Sequence, residues 1–515
     1  MSAPLSTVSP KLMRSVWLVL LLSLLCRAWI SAILPMTGDE ALFYWWAQFL
    51  DYGYYDHPPM VGWWIAGVVA ALGHAEWVVR LPATLLPLGV AGAIWWAFAP
   101  IDRVRAAWAV LLYSLMPINW LGALVTTDTP LIFWAAWSVA ALTRAEWTVR
   151  SRQDQGPSAW HWYVLSGACL GMTFLSKYFA VLLGVAYVVY FGLWARSHWR
   201  GLILGLLAML PAVGVNVMWN LQHCWTNIMF NLFNRNEDAV FAWANPLTYL
   251  VTLVYLISPM GLWWMWRARA GMRSAIRCMP WVACAAWVPL ALFALMSGKK
   301  VIGLHWVLGF YPFLFILLAW ALSPDQRQRL ARALAWFVAA HVVLAVGVSL
   351  TSLQDWKHMK LYHRLVEAAR APDIAKQAQA PDTVLMANVY SAAALYGYAV
   401  GQYVPVFGVG GFHARQDDLI TDYRQFDGRT LRIIAGRKAP DLSQYQDYFA
   451  AVRVMTLNQD GVAFYVVEGR GFRYDTYRSQ VLSQINESYY RFPSWLPVWG
   501  CSFCERYCGS PRCQP

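Results

Sequence analysis

The run SVWLVLLLSLLCRAWISAILPMTGDE, residues 15–40, decides how this chain is read. From Val16 to about Pro35 it is apolar apart from Arg27 and a few small polar residues, and it ends on two adjacent carboxylates, Asp39 and Glu40. A helix crosses a bilayer with about 17–25 mostly apolar residues. The run follows Lys11 and Arg14, but it is too long for the apolar region of a secretory signal and shows no small-residue cleavage site. It is expected to be the first membrane helix. Carboxylates at its far end are costly to hold there and mark function.

Working outward, the same pattern recurs. Of 515 residues, 59% are hydrophobic and 13% charged, about half the charge of a soluble protein. Water cannot solvate that much apolar surface. Thirty-two Trp suit the headgroup level, where the ring is buried and its polar end stays wet. We expect eleven spans, at about 15–35, 77–98, 106–124, 129–143, 162–176, 178–195, 201–220, 247–266, 279–297, 304–322 and 334–350. Loop charge then sets orientation. With the N-terminus in the cytoplasm, sixteen basic residues fall on that side, from Lys11 to Arg332, including Arg152 in the polar loop 151–158. Five fall opposite: Arg80, Lys177, Arg235, Lys299 and Lys300. The formal charge of +13 therefore reports topology, and no nucleic-acid partner is expected.

From about residue 351 the chain turns mixed and polar. Residues 384–390, 402–407 and 462–467 read as strands, and 362–371 and 375–380 as helices. The expected fold class is a polytopic α-helical membrane protein with about eleven transmembrane helices, over 1–350. A small extracytoplasmic α/β domain follows over 351–500, then a Cys-rich tail over 501–515.

Four groups of residues carry chemistry. The first outer loop holds Asp39, Glu40, Asp56 and His57, with an amphipathic interfacial helix over 41–50 and a turn at Pro58-Pro59. A carboxylate there acts either as a general base or, for Asp39, only as a helix cap. Thr126-Thr127-Asp128-Thr129-Pro130 lies on the same face. Asp128 either orients a basic partner or begins a helix that has Pro130 in its first turn. The cations Arg80, Lys177, Lys299 and Lys300, with His305, either meet phosphate or snorkel to headgroups. Arg27, inside the first span, is expected to pair with a buried acid. Last, Cys501, Cys504, Cys508 and Cys513 form two disulfides, a zinc site or part of an unstructured appendage.

Gly38-Asp39-Glu40-Ala41, Tyr54-Tyr55-Asp56-His57-Pro58-Pro59, Arg80-Leu81-Pro82, Thr127-Asp128-Thr129-Pro130 and Ser176-Lys177-Tyr178 together resemble the bacterial family 39 glycosyltransferases. These are GT-C membrane enzymes related to protein O-mannosyltransferases and to the lipid A aminoarabinose transferase. The resemblance covers most of residues 15–350. It implies a polyprenyl-phosphate sugar donor and a lipid A, envelope glycan or protein acceptor, met on the periplasmic face of the inner membrane. It implies Asp39 as catalytic carboxylate, Glu40 as its neighbour and Asp128 as the second acid. Lys177 and Arg80 would meet the leaving phosphate, with Asp56, His57, Lys299, Lys300 and His305 as further binding residues. The turn after the first loop differs from that of the aminoarabinose transferase. No cofactor is implied, and a divalent cation is left open. The other class considered is a secondary transporter or flippase for a lipid-linked substrate. The repeated halves and broken midplane helices of such proteins are not seen in the sequence.

Overall fold

The computed structural model describes residues 7–151, 159–233, 240–408 and 416–509. Arg152, Arg235 and Cys513 lie outside them. The chain divides into two compact units. One comprises Met1–Ile33, Leu72–Gly214 and Ala239–Val348, and the other Leu34–Ala71, Val215–Asp238 and Ser349–Pro515.

The first unit is helical. Each of the eleven expected spans falls on a helix or on consecutive helices. Five helices are long and apolar enough to cross a membrane: Pro10–Ile33, Glu76–Phe98, Arg196–Gln222, Pro280–Ser297 and Pro324–Ser349. Ala244–Ile257 and Pro259–Arg267 make a sixth if the pair, bent by 82°, crosses as one. The helix Asp128–Arg150 is as long but carries Asp128, Arg144, Glu146 and Arg150.

Between apolar helices in lipid, small residues and buried hydrogen bonds hold the packing. A Cβ on Gly167 would stand 2.0 Å from the Gly205 carbonyl oxygen, so the helices Trp160–Ser176 and Trp199–Gln222 touch backbone to backbone. Ser138 donates to the Ser166 carbonyl at 2.8 Å. Glu146 is fully buried. It accepts from the hydroxyls of Tyr163 and Tyr190 and faces Arg150, at 3.8 Å, and His198. A buried charge needs such company.

The second unit contains a four-stranded sheet of β1 (Thr383–Ala387), β2 (Thr430–Gly436), β3 (Phe449–Gln459) and β4 (Val462–Phe472), in the order β1-β2-β4-β3. β1 and β2 are parallel, with Met386 opposite Ile433; β4 is antiparallel to both neighbours, with Val467 opposite Ile433 and Val454. Asp460 and Gly461, both at positive φ, make the two-residue turn between β3 and β4, the chemistry that a tight hairpin asks for. The expected strand 402–407 forms only an isolated bridge, Ala387 with Val406, because Pro405 has no N–H to give a ladder. The two expected helices of the tail are one, Tyr362–Ala378, running through Pro372.

The cysteines resolve one alternative. Cys224, far from the tail in sequence, is bonded to Cys501, and Cys508 is also disulfide-bonded. Cys224, Cys501 and Cys504 bring their sulfurs together, but two of the three are spent in the disulfide.

Candidate active site

In the second unit the helix Gly38–Gln48 begins where the first loop was expected to lie in the interface. Thr37 is its N-cap. The Thr37 hydroxyl accepts from Glu40 N at 3.3 Å, and the Glu40 carboxylate accepts from Thr37 N at 3.2 Å. This is a capping box, so Thr37 and Glu40, not Asp39, do the capping. Asp39 is exposed, and its carboxylate makes no hydrogen bond or ion pair among the described residues. Water reaches it, yet protein atoms crowd its other sides. That lost solvation, and then the charge of Glu40, push its carboxyl above the ordinary aspartate range. A carboxylate so placed is a better base at neutral pH.

The turn that carries Asp56 and His57 is fixed by its neighbours. Tyr54 N donates to the His57 carbonyl at 3.0 Å, and the Tyr54 ring stacks on Trp46 with centroids 4.5 Å apart. Asn227 and Asn231, one turn apart on Thr226–Leu232, donate to the carbonyls of Tyr54 and Asp56. Asp51, which the sequence reading passed over, accepts from the Trp219 indole at 2.9 Å, and His223 stacks on that indole at 4.2 Å. The signal for these positions was polar residues recurring at helical spacing in an apolar run.

In the first unit Asp128 opens the helix Asp128–Arg150, with Thr129 and Pro130 in its first turn. Both carboxylate oxygens of Asp128 accept from Lys177 Nζ, at 2.9 and 2.8 Å, and both residues are buried. Asp128 therefore does both things expected of it: it begins a helix with Pro130 in the first turn, and it orients a basic partner. Arg80 is fully buried. It donates to the Ser31 carbonyl at 3.0 Å and lies 3.7 Å from Glu76. Lys299 and Lys300 end the turn after Pro280–Ser297, their N–H groups donating to Met296 O.

Asp128 and His305 line one cavity of about 250 Å³ with Arg27, Tyr113, Asn119 and Tyr311. Arg80, Lys177, Lys299 and Lys300 are not part of its wall. Tyr311 donates to Asn119 Oδ1 at 3.0 Å, and Asn119 Nδ2 donates to the Tyr113 carbonyl at 2.6 Å. The expectation for Arg27 is corrected. Its guanidinium meets no carboxylate among the described residues and donates instead to the backbone carbonyls of Ala83, Ile118 and Gly122. The Ala83 carbonyl is free to accept because Pro87, four residues on in the same helix, has no N–H to give it, and the Ile118 and Gly122 carbonyls lie in and just after the short helix Ile118–Leu121.

Residues 56–219 match the family described as dolichyl-phosphate-mannose-protein mannosyltransferase. The lipid A galacturonosyltransferase RgtD of Rhizobium johnstonii is 28% identical over 195 residues, which is 37% of this chain and 39% of that protein. The match therefore spans about two fifths of the relative's length. ArnT from Cupriavidus metallidurans, solved bound to undecaprenyl phosphate, superposes with a TM-score of 0.63 at 17% identity, covering 88% of this chain and 97% of that one. Its apo form gives 0.62 at 18% identity, covering 88% and 98%. The fold is thus the GT-C fold, and the resemblance read from the motifs holds.

Proposed function

We propose that this chain, a family 39-like protein of GT-C fold, is an inner-membrane glycosyltransferase that moves a sugar from a polyprenyl-phosphate donor to an envelope acceptor. The donor class is supported by the undecaprenyl phosphate bound to the structurally similar ArnT. Lipid A is the favoured acceptor, because the rhizobial relative is named for it; another envelope glycan or a protein would suit the same chemistry. The N-terminus faces the cytoplasm, and the residues from 351 onward lie in the periplasm.

The observation that carries the reading is the freedom of Asp39. Its helix is capped by Thr37 and Glu40, so Asp39 is not needed for the cap, and its carboxyl is tuned upward. In the step assigned to it, an acceptor hydroxyl gives its proton to Asp39 while its oxygen bonds to the anomeric carbon. The bond from that carbon to the phosphate oxygen breaks, and polyprenyl phosphate leaves with the electron pair. Lys177, held by Asp128, and Arg80 offset the charge gathering on the phosphate. Asp56, His57, Lys299, Lys300 and His305 complete the binding set.

The test incubates membranes holding the full chain with undecaprenyl-phosphate sugars and lipid A. Asp39→Asn is expected to abolish transfer while the protein stays folded. Wild-type rates in that variant would remove Asp39 from the role.

A further inference from the structure

The Cys-rich tail has no part in the transfer step. It opens at the end of FPSWLPVWGC, residues 492–501. Pro493 and Pro497 fix φ along this stretch, and Leu496 N donates to the Pro493 carbonyl at 3.1 Å, closing a turn around Trp495. Leu496 and Val498 pack on the core of the second unit. Trp495 and Trp499 stay outside it, 78% and 62% exposed. They are the two most exposed large apolar side chains among the described residues from 351 onward. Water solvates an indole ring poorly, and two such rings on one pinned loop mark a surface that something covers.

What covers it follows from where the loop is fastened. Trp499 N and Gly500 N donate to the Leu221 carbonyl at 2.7 and 3.3 Å, and Cys224 N donates to the Gly500 carbonyl at 3.3 Å. The Trp225 indole donates to the Pro497 carbonyl at 2.7 Å. The Cys224–Cys501 disulfide closes the clasp. Leu221 is the last residue but one of the helix Trp199–Gln222, part of a segment long and apolar enough to cross a membrane. Its 24 residues rise about 36 Å, against a hydrocarbon core of roughly 30 Å. Arg196 and Arg200 suit the headgroups at its start, so its last turn emerges among the headgroups of the opposite leaflet. The loop is therefore tied to the chain at headgroup depth.

We infer that residues 493–499 dip into the leaflet where this helix ends and seat Trp495 and Trp499 among its phospholipids, with Cys224–Cys501 as the staple that holds them there. Indoles favour that layer because the ring is buried while its N–H stays wet. The occupant is phospholipid because the loop continues a surface that the bilayer already covers: Met218, on the closing turns of the same helix, is exposed as well. The helix Thr226–Leu232 begins two residues beyond Cys224, and its Asn227 and Asn231 hold the turn of Asp56 and His57. The anchored clasp thus also fixes that turn at the membrane surface. The inference stands without the transferase reading; it needs only that the helix ending at Gln222 cross the bilayer.

The test places p-benzoylphenylalanine, a photo-crosslinker, in place of Trp495 or of Trp499 in the full chain, reconstituted in nanodiscs of phosphatidylethanolamine and phosphatidylglycerol. Both sites are largely exposed, so the fold should tolerate the change. Illumination is expected to give phospholipid adducts at both positions, read by mass spectrometry of the isolated peptide. Adducts only within the same chain, adducts only with a second copy, or no adduct at all would overturn the proposal. In a Cys224→Ser/Cys501→Ser background most of the lipid adduct should be lost, and an undiminished yield would strip the disulfide of its role as staple. The adducts of the disulfide-bonded chain decide the membrane contact whether or not that double variant folds.

Discussion

Asp39 draws its chemistry from the residue beside it. Lost solvation from crowding protein atoms and then Glu40 raise its carboxyl, so it stays protonated to a higher pH than a free aspartate, near 3.9. Transfer should fail on the acid side at a pH above that value. Glu40→Gln can keep the capping box but removes the charge, so the acid limb of kcat/KM should move to lower pH; an unmoved limb would uncouple the pair. Asp128 and Lys177 make a different claim. Removing one partner of a buried ion pair strands the other and costs about 3–5 kcal/mol. Lys177→Met should therefore lower thermal stability in detergent more than the double variant Asp128→Asn/Lys177→Met does. Equal losses would mean that the two do not share a buried bond. The position of Asp39 at the start of a helix after the first span was legible because an ionisable pair ends that span. The bond between Asp128 and Lys177 was not, since they are 49 residues apart. Neither was the setting of Arg27, whose partners are main-chain carbonyls.

Among the elements, the sheet of the second unit depends on one carboxylate. Glu468 on β4 is 3% exposed and is bound by Arg432, Arg453 and Arg470. Hydrogen bonds from Arg453, then Arg432, pull its carboxyl down to about 2 against the opposing effect of burial. A depressed carboxyl stabilises the fold above its unfolded value, about 4.3, and that contribution fades as pH falls through about 2. Glu468→Gln should cost on the order of 2 kcal/mol at neutral pH, somewhat less where the exposed arginines are screened, and the gap should close in acid. A pH-independent gap would point to packing instead. The strands show where sequence reading works. β1 and β4 are rich in Val, Leu, Met and Phe and were expected. β3, FAAVRVMTLNQ, is an edge strand with mostly exposed residues, held by pairing with β4 rather than by its own propensity. β2 was also missed; it starts two residues after Gly428 and ends on Gly436, both at positive φ.

For the whole molecule, apolar runs and loop charge were legible because a bilayer enforces both. The number of crossings was less so, since several helices are short or bent. The N-in topology predicts that a cysteine replacing Asp102 is shielded from an impermeant maleimide in intact cells and is labelled in inverted vesicles. Labelling from outside would reverse the orientation. The central claim is chemical: Asp39, not needed for the cap of its helix, accepts the acceptor's proton. The most direct measurement is transfer from an undecaprenyl-phosphate sugar by membranes holding equal amounts of folded wild-type and Asp39→Asn protein. The account predicts transfer with the first and at least a hundredfold less with the second, the scale of general-base catalysis, about 10²–10⁴. Equal rates would contradict it.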